Sequence, residues 1–323
     1  MVIGIEKGIR TRGYLYAAKS MNLECRVIDS KKNNIMQKLL EVDAFVWHWS
    51  HQNPREKRSA IAIIKGAELA NIKVYPNLNT SWMFDDKVYE KYLLEAIQAP
   101  IVDTYVFYEY QDAVRWLETC QYPIVYKFPQ GAGSTSVRLI EDFVSGEKLC
   151  KKHFSALGNP DLDFDMMDLG KLKEKWKLLN QPIVKYGNNK KGCIYFQEFL
   201  PNNKYDIRVT TVGKKNYIFK RYVRENDFRA SGSGKIDYKV SSRDLEAIKI
   251  ARVVTDKIGA QSMAYDFLYD NDGKLRICEL SYGFMEDAVN HTNGWYDFEL
   301  NYHEETVNVY KEIITLLLGE VNV

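Results

Sequence analysis

The chain has 323 residues, 46% of them hydrophobic and 27% charged, and a net charge of +2. That balance describes a globular protein without the broad basic field that nucleic acid or a membrane surface would select, and the chain is longer than one core usually organises. Its five cysteines (Cys25, Cys120, Cys150, Cys193, Cys278) are scattered with no C-x-x-C pair, which argues against a disulfide framework or a structural zinc site and suits a reducing cytoplasm.

Met1-Val2-Ile3-Gly4-Ile5 reads as a first strand rather than a signal peptide, and no apolar run is long enough to span a bilayer. Strand and helix then alternate to about residue 80. Val2–Ile5, Cys25–Asp29, Ala44–Trp49 and Lys73–Tyr75 are the strands; Gly13–Met21, Ile35–Leu40 and Glu56–Ala70 are the helices. This order predicts a parallel sheet covered on both faces. No G-x-G-x-x-G follows the first strand, so a dinucleotide site is not supported. Lys7, Arg10, Thr11 and Arg12 follow strand one and His48 and His51 follow strand three, at the carboxyl edge where such sheets take ligands. For Lys7, Arg10, Thr11 and Arg12 an anionic substrate and a solvated loop are both open; His48 and His51, three apart, could ligate a metal, but with no third ligand nearby the plain reading is favoured, and their position alone keeps them as substrate-site candidates.

Asp85 or Asp86 caps a helix that runs to about Gln98, and Pro100 stops it. Lys87 falls in the first turn, where a cation opposes the helix dipole, so it is expected to serve another group such as a phosphate. Gln111–Cys120 is a further short helix. Ile124-Val125-Tyr126 forms a strand ending in Lys127, followed by a loop with Gly131, Gly133, Ser134, Thr135 and Ser136, and then the strand Val137–Ile140. Glycines let backbone N–H groups approach phosphate oxygens, but many such loops are plain turns, and the P-loop motif is absent.

Residues 144–190 are rich in lysine around an acidic patch (Asp161, Asp163, Asp165, Asp168) and read as an exposed insertion in a lid, with a helix at Lys171–Leu179 and a turn over 187–192. Ile194–Phe199 is a strand that breaks at Pro201. Ile207–Val212 and Tyr217–Val223 follow, joined by a turn at Gly213-Lys214-Lys215-Asn216. Asp206 and Arg208, two apart, share a face. Arg221, Arg224 and Arg229 come next, and arginines beside a glycine-rich loop suit an oxyanion-rich transition state or plain salt bridges. Residues 242–258 form an amphipathic helix capped by Ser241 or Ser242, and Glu304–Leu318 is a C-terminal helix.

Two runs flank Asp272-Gly273, a dipeptide suited to a tight hairpin. If the hairpin closes there, Asn271 faces Lys274 and Asp266 lies directly opposite Glu279. Opposed carboxylates repel unless a cation lies between them or one holds a proton. Ser281, two residues on, points to the same face. The set suits a hard cation such as Mg²⁺; an edge hairpin with two solvated acids fits equally well on this stretch alone.

Taken in order, D-K, P-I-V-Y-K with its Gly-rich loop, Q-E-F-L, D-I-R-V-x-x-V-G, D-F-R and D-F-L…C-E-L-S resemble the ATP-grasp superfamily, closest to ribosomal-protein glutamate ligases and prokaryotic glutathione synthetases. The resemblance covers Lys73 to about Asp287. It implies a mixed α/β and α+β fold in three domains: an N-terminal parallel α/β domain (1–82), a central region with the lid (83–196) and a C-terminal domain with the metal site (197–323). ATP would be held between two antiparallel sheets. By resemblance, Lys87, Lys127, Gly131, Gly133 and Ser134 contact phosphates, Gln197, Glu198, Phe199 and Leu200 hold adenine, and Asp206 belongs to the nucleotide site. Arg208, Arg221 and Arg229 bind phosphate or a substrate carboxylate, and Asp266, Glu279 and Ser281 ligate Mg²⁺. Family members usually carry Asn at the position of Ser281, and Ser231 also replaces a common Asn, so a weaker second metal or altered chemistry is implied. The implied reaction joins a small-molecule or peptide carboxylate to an amine through an acylphosphate, releasing ADP and phosphate. A small-molecule kinase and a nucleotide-binding module with little catalysis are the alternatives. A homodimer is expected only because such dimers are common.

Overall fold

The computed structural model describes residues 1–50, 53–130, 137–154, 192–225, 227–230 and 232–319. The chain forms two compact units. Unit 1 holds Met1–Val102, Gln130–Ser136 and Leu200–Val323, and unit 2 holds Asp103–Pro129 and Val137–Phe199.

Unit 1 begins with the expected alternation: β1 (Val2–Glu6), α1 (Thr11–Ser20), β2 (Glu24–Ile28), α2 (Ile35–Leu39), β3 (Ala44–Val46), α3 (Pro54–Leu69) and β4 (Lys73–Tyr75). The four strands make one parallel sheet in the order β2-β1-β3-β4. The two inner strands, β1 and β3, are buried on both faces, as βαβ crossovers require, while the edge strand β2 is largely exposed. Ile3 and Ile5 pack with Ala17 and Ala18 of α1, while Phe45 packs with Ala60 and Ile64 of α3. A short α4 (Leu78–Ser81) follows, then α5 (Lys87–Ala96). Asp86 is the cap: its carboxylate accepts from the N–H groups of Val88 and Tyr89.

Unit 2 contains β5 (Thr104–Phe107), α6 (Tyr110–Leu117), β6 (Ile124–Lys127), β7 (Val137–Ile140), α7 (Phe143–Phe154) and β8 (Ile194–Glu198). The strands form an antiparallel sheet in the order β5-β8-β6-β7. Period-two alternation sends Ile124, Tyr126, Ile194 and Phe196 to one face, where they meet Ala113 and Leu117 of α6 and Leu149 and Cys150 of α7.

The chain re-enters unit 1 through β9 (Tyr205–Val212), β10 (Lys215–Tyr222), β11 (Ile236–Asp237), α8 (Ser242–Ile258), β12 (Ser262–Tyr269), β13 (Leu275–Ser281), α9 (Glu286–Asn290), β14 (Gly294–Tyr296), β15 (Tyr302–Glu304) and α10 (Val309–Leu318). The seven strands form a sheet along the path β13-β12-β9-β10-β14-β15, with β11 beside β10. Ile207, Val209, Ile218, Met263, Tyr265 and Phe267 line one face under Ala247, Ile248, Ala251 and Val254 of α8. On the other face Tyr217 and Ala264 pack with Ile313 and Ile314 of α10.

Three sequence expectations are corrected. The β9–β10 turn is only Gly213-Lys214, because Lys215 already pairs with Val212. The C-terminal helix starts at Val309, where Asn308 accepts from the Lys311 N–H, and Tyr302–Glu304 is a strand. The β12–β13 hairpin does not close on Asp272-Gly273. Its last pair is Tyr269 with Leu275, and Asp270 closes the loop by accepting from the N–H groups of Asp272 and Lys274. An Asp side chain that satisfies the turn backbone in this way displaces the two-residue turn. The helix at Lys171–Leu179 and the acidic patch at Asp161–Asp168 lie outside the described residues. Among the described residues, no helix is long and apolar enough to cross a membrane.

Candidate active site on the seven-stranded sheet

The hairpin error cancels further along the strand. A β-bulge between the Asp266 and Phe267 rungs gives β13 one extra residue, Cys278, so Asp266 still faces Glu279. The bulge is written into the burial pattern: Leu275 and Ile277 are buried two apart, then the spacing slips to Leu280 and Tyr282. Such an insertion re-aims side chains, and here it turns Glu279 and Ser281 onto the face that carries Asp266.

The neighbouring strands complete a charged row on that face. Asp266 pairs with Arg208 of β9, and Asp206, two residues earlier, pairs with Arg221 of β10. The side chains follow the register. Arg208 grips Asp266 with Nε to Oδ1 at 2.5 Å and Nη2 to Oδ2 at 2.9 Å. Arg221 grips Asp206 at 2.8 and 2.6 Å and also reaches Asp266 Oδ2 at 2.7 Å. Asp206 and Asp266 are 7% and 8% exposed, so these are two desolvated bidentate pairs joined into one chain of alternating charge. Burial and the charge of Asp266 push the Asp206 carboxyl above its usual range, against the pull of Arg221. Burial also pushes Asp266 up, but two guanidiniums outweigh it and hold that carboxyl below its usual value.

Lys87 enters from the first turn of α5, 4% exposed, with Nζ 3.5 Å from Glu279 Oε1. An anion across the gap explains a lysine at the helix end that disfavours it. Glu90, one turn on, accepts from the Leu280 N–H. Nothing in the sequence marked Glu90; only the approach of α5 to β13 gives it that role. Arg208, Arg221 and Lys87 face Asp266, Asp206 and Glu279, and the buried Glu90 is a fourth acid beside them.

The donor set admits a hard cation within limits. A carboxylate offers about four lone-pair sites. Both at Asp266 Oδ2 are taken by Arg208 and Arg221, which leaves one at Oδ1 beyond the Arg208 contact. Glu279 is more open, at 36% side-chain exposure. Ser281 pairs with Ala264, and its Oγ accepts from the Gly283 N–H at 3.0 Å. The fit is therefore to a cation held mainly by Glu279, with Asp266 monodentate and several positions left to other oxygens, a Mg²⁺-like demand.

The remaining candidates are placed elsewhere. Arg229 lies in the loop after β10, held by Asp227 through Nε and Nη2 at 2.7–2.9 Å. In unit 2, Lys127 pairs with Tyr195, and Val125 with Gln197, on the sheet face opposite the helices. Gln197 is buried, and its amide donates to Thr104 Oγ1 at 3.1 Å. Glu198 is exposed, Phe199 half-buried and Leu200 buried. Arg10 forms an ion pair with Glu286 and donates to the Phe284 carbonyl, and Thr11 donates to the Glu6 carbonyl. Gly131, Gly133, Ser134, Ser231 and His51 lie outside the described residues.

No protein-family model and no curated protein sequence matches the chain. Solved structures do. A RimK-domain ATP-grasp protein from Sphaerobacter thermophilus aligns with 99% of this chain and 100% of its own at 13% identity and a TM-score of 0.61. The D-cycloserine synthetase DcsG aligns over the full length of both chains at 10% identity and a TM-score of 0.64. The ATP-grasp ligase PsnB, solved with its minimal precursor, Mg and ADP, aligns over 98% of both chains at 13% identity and a TM-score of 0.59. At such identities the likeness speaks for the fold and leaves the reaction to the residues.

Proposed function

We propose that this chain, which has the ATP-grasp fold, is an ATP-dependent ligase that joins a carboxylate to an amine and releases ADP and phosphate. The observation that carries the reading is the Asp206–Arg221–Asp266–Arg208 chain with Glu279 and Lys87 beside it. It is a preorganised, desolvated set of charges with no nucleophile among them. Phosphoryl transfer asks a protein for positioning and charge neutralisation rather than covalent chemistry, and this cluster supplies both.

Each group has an assigned task. Arg208 and Arg221 present cations at fixed positions, since each is already held by a buried carboxylate and loses little freedom when it meets an anion. They would bind the transferring phosphoryl group or the substrate carboxylate, and Arg229 would serve the same anion from its loop. Glu279, Asp266 and Ser281 would hold Mg²⁺, which supplies neutralisation of the phosphate charge. Lys87 and, in unit 2, Lys127 are assigned to ATP phosphates, and the backbone of Gln197, Glu198, Phe199 and Leu200 to adenine. Gln197 is suited to a backbone role because its amide is engaged with Thr104. The carboxylate would take the phosphoryl group to become an acylphosphate. The amine would then attack the acyl carbon and phosphate would leave.

The test is phosphate release from Mg²⁺-ATP against pooled carboxylic acids, with and without pooled amines. Release that needs both pools is the expected result. ADP formation that needs only a polyol pool, with no free phosphate, would overturn the ligase reading in favour of a kinase.

A further inference from the structure

Of the strands at sheet edges, β13 and β2 are the longest. β13 is covered on its outer side: the Ile277 N–H donates to the Pro100 carbonyl at 2.8 Å and the Val102 N–H to the Ile277 carbonyl at 3.0 Å. β2 pairs with β1 alone. The Lys7 N–H donates to the Ile28 carbonyl at 2.8 Å, so the Ile28 backbone faces β1. Backbone groups alternate in direction along a strand, so Cys25 and Val27 turn their N–H and C=O groups to the open side. An edge of this kind is a template for another strand, and proteins blunt it with proline, a bulge or repelling charges. β2 has no proline, and its pairing with β1 runs without a bulge. Its two charged side chains, Glu24 and Arg26, are exposed and opposite in sign. Val27 is an exposed apolar residue beside them. The helices on the two faces of β2 add exposed apolar side chains, Tyr16 on α1 and Leu40 at the end of α2. Leu40 precedes Glu41, whose carbonyl accepts from Arg26 Nη1.

We propose that β2 pairs antiparallel with β2 of a second copy of this chain, about a two-fold axis at Cys25. The two parallel sheets then continue into each other. The register follows from charge. A two-fold antiparallel pair sets residues of like backbone orientation opposite each other, so the axis falls on a residue. An axis on Glu24 or on Arg26 would oppose like charges, which destabilises a sheet. An axis on Val27 would set Arg26 against the buried Ile28. Only the axis on Cys25 places Glu24 opposite the partner's Arg26 and Arg26 opposite the partner's Glu24. It also places Leu23 opposite the partner's Val27. The same two charges that would repel most strands thus complement a copy of themselves. The Leu23 N–H is already taken by the Ala18 carbonyl, so the new ladder is confined to Cys25, the Val27 N–H and the Leu23 carbonyl. The inference goes beyond the ligase reading and does not depend on it.

Charge exchange provides the test. Arg26→Glu, Glu24→Arg and the double variant Glu24→Arg/Arg26→Glu are made in the full chain, and circular dichroism checks that each is folded. Sedimentation equilibrium then reads mass against concentration. The unaltered chain should dimerise, and each single variant should raise the dimer dissociation constant at least about 10-fold. An equimolar mixture of the two single variants should dimerise again, because the partner of each acid is then a base. The double variant should dimerise alone for the same reason. Directly opposed Cα atoms in such a pair lie about 5.5 Å apart, within disulfide reach. Diamide should therefore link two copies of the unaltered chain, and Cys25→Ser should abolish the link. A chain that is monomeric at every concentration would overturn the proposal. So would a dimer that neither single variant weakens, or single variants that stay monomeric when mixed.

Discussion

Arg221 binds two buried carboxylates at once, Asp206 and Asp266, and that double engagement makes it the most exacting residue of the sheet face. Removing one partner of a buried ion pair leaves a desolvated charge uncompensated, at a cost of about 3–5 kcal/mol. Arg221→Met is therefore expected to lower unfolding free energy by about that amount. Arg221→Met with Asp206→Leu should recover much of it, since a well-packed apolar pair is close to neutral in place of an ion pair. Denaturant titration of the two variants checks this; an additive or larger loss in the double variant would show that the pair is not the unit. Glu279 is the converse case, more open and chemically assigned. Glu279→Gln keeps an oxygen for Lys87 but halves the acidic charge offered to Mg²⁺, so turnover should fall at least about 100-fold while the melting temperature moves little. Undiminished Mg²⁺-dependent turnover would remove Glu279 from the metal site.

At the scale of elements, α8 and the β12–β13 hairpin show how local chemistry places the cluster. α8 starts on a complete capping box, with Ser241 Oγ accepting from the Asp244 N–H and the Asp244 carboxylate accepting from Ser241. Tyr205 of β9 and Tyr269 of β12 donate to the same carboxylate at 3.2 and 2.9 Å, tying the helix to the two strands that carry Arg208 and Asp266. Burial pushes Asp244 up, but the N–H and hydroxyl of Ser241 and the two tyrosine hydroxyls outweigh it and hold the carboxyl below its ordinary value near 3.8. A depressed carboxyl adds stability that is complete above the unfolded value and is lost as pH falls through the folded one. Asp244→Asn should therefore be less stable at neutral pH and show a flatter acid limb below about pH 4, read by denaturant midpoints across pH. Ser241→Ala should cost about 1 kcal/mol through the lost cap. The hairpin is instructive in another way. The pairing of Asp266 with Glu279 was legible from a count outward from Asp272-Gly273, but that count assumed a two-residue turn and a regular ladder. The Asp270 turn shortens the ladder by one pairing step and the Cys278 bulge restores it. Only the slip from Ile277 to Leu280 in the apolar pattern carried a trace of the bulge.

For the whole molecule, the proposed reaction draws on groups that the chain contributes far apart in sequence. Unit 1 carries the charged face, and unit 2 carries Lys127, 5% exposed, on the sheet face away from its helices. A charge-assisted contact to phosphate is worth about 1.5–3 kcal/mol, so Lys127→Ala should weaken ATP binding about 10- to 100-fold by calorimetry. An unchanged affinity would take Lys127 out of the nucleotide site.

The sequence by itself determined the alternating N-terminal layer, the antiparallel strands, two helix starts to within one residue (Asp85 or Asp86, Ser241 or Ser242) and the order of motifs that resembles ATP-grasp proteins. These depend on periodicity, turn chemistry and short spacings, which a chain expresses locally. Tertiary structure alone decided that Arg208 and Arg221 both bind Asp266, that Arg10 goes to Glu286, that Lys87 meets Glu279 and that the rings of Phe84 and Tyr282 close on His48. Those contacts join residues 36 to 276 positions apart. Which of several compatible charges or rings meets which is settled by strand register and by how the layers pack, quantities that no local stretch contains.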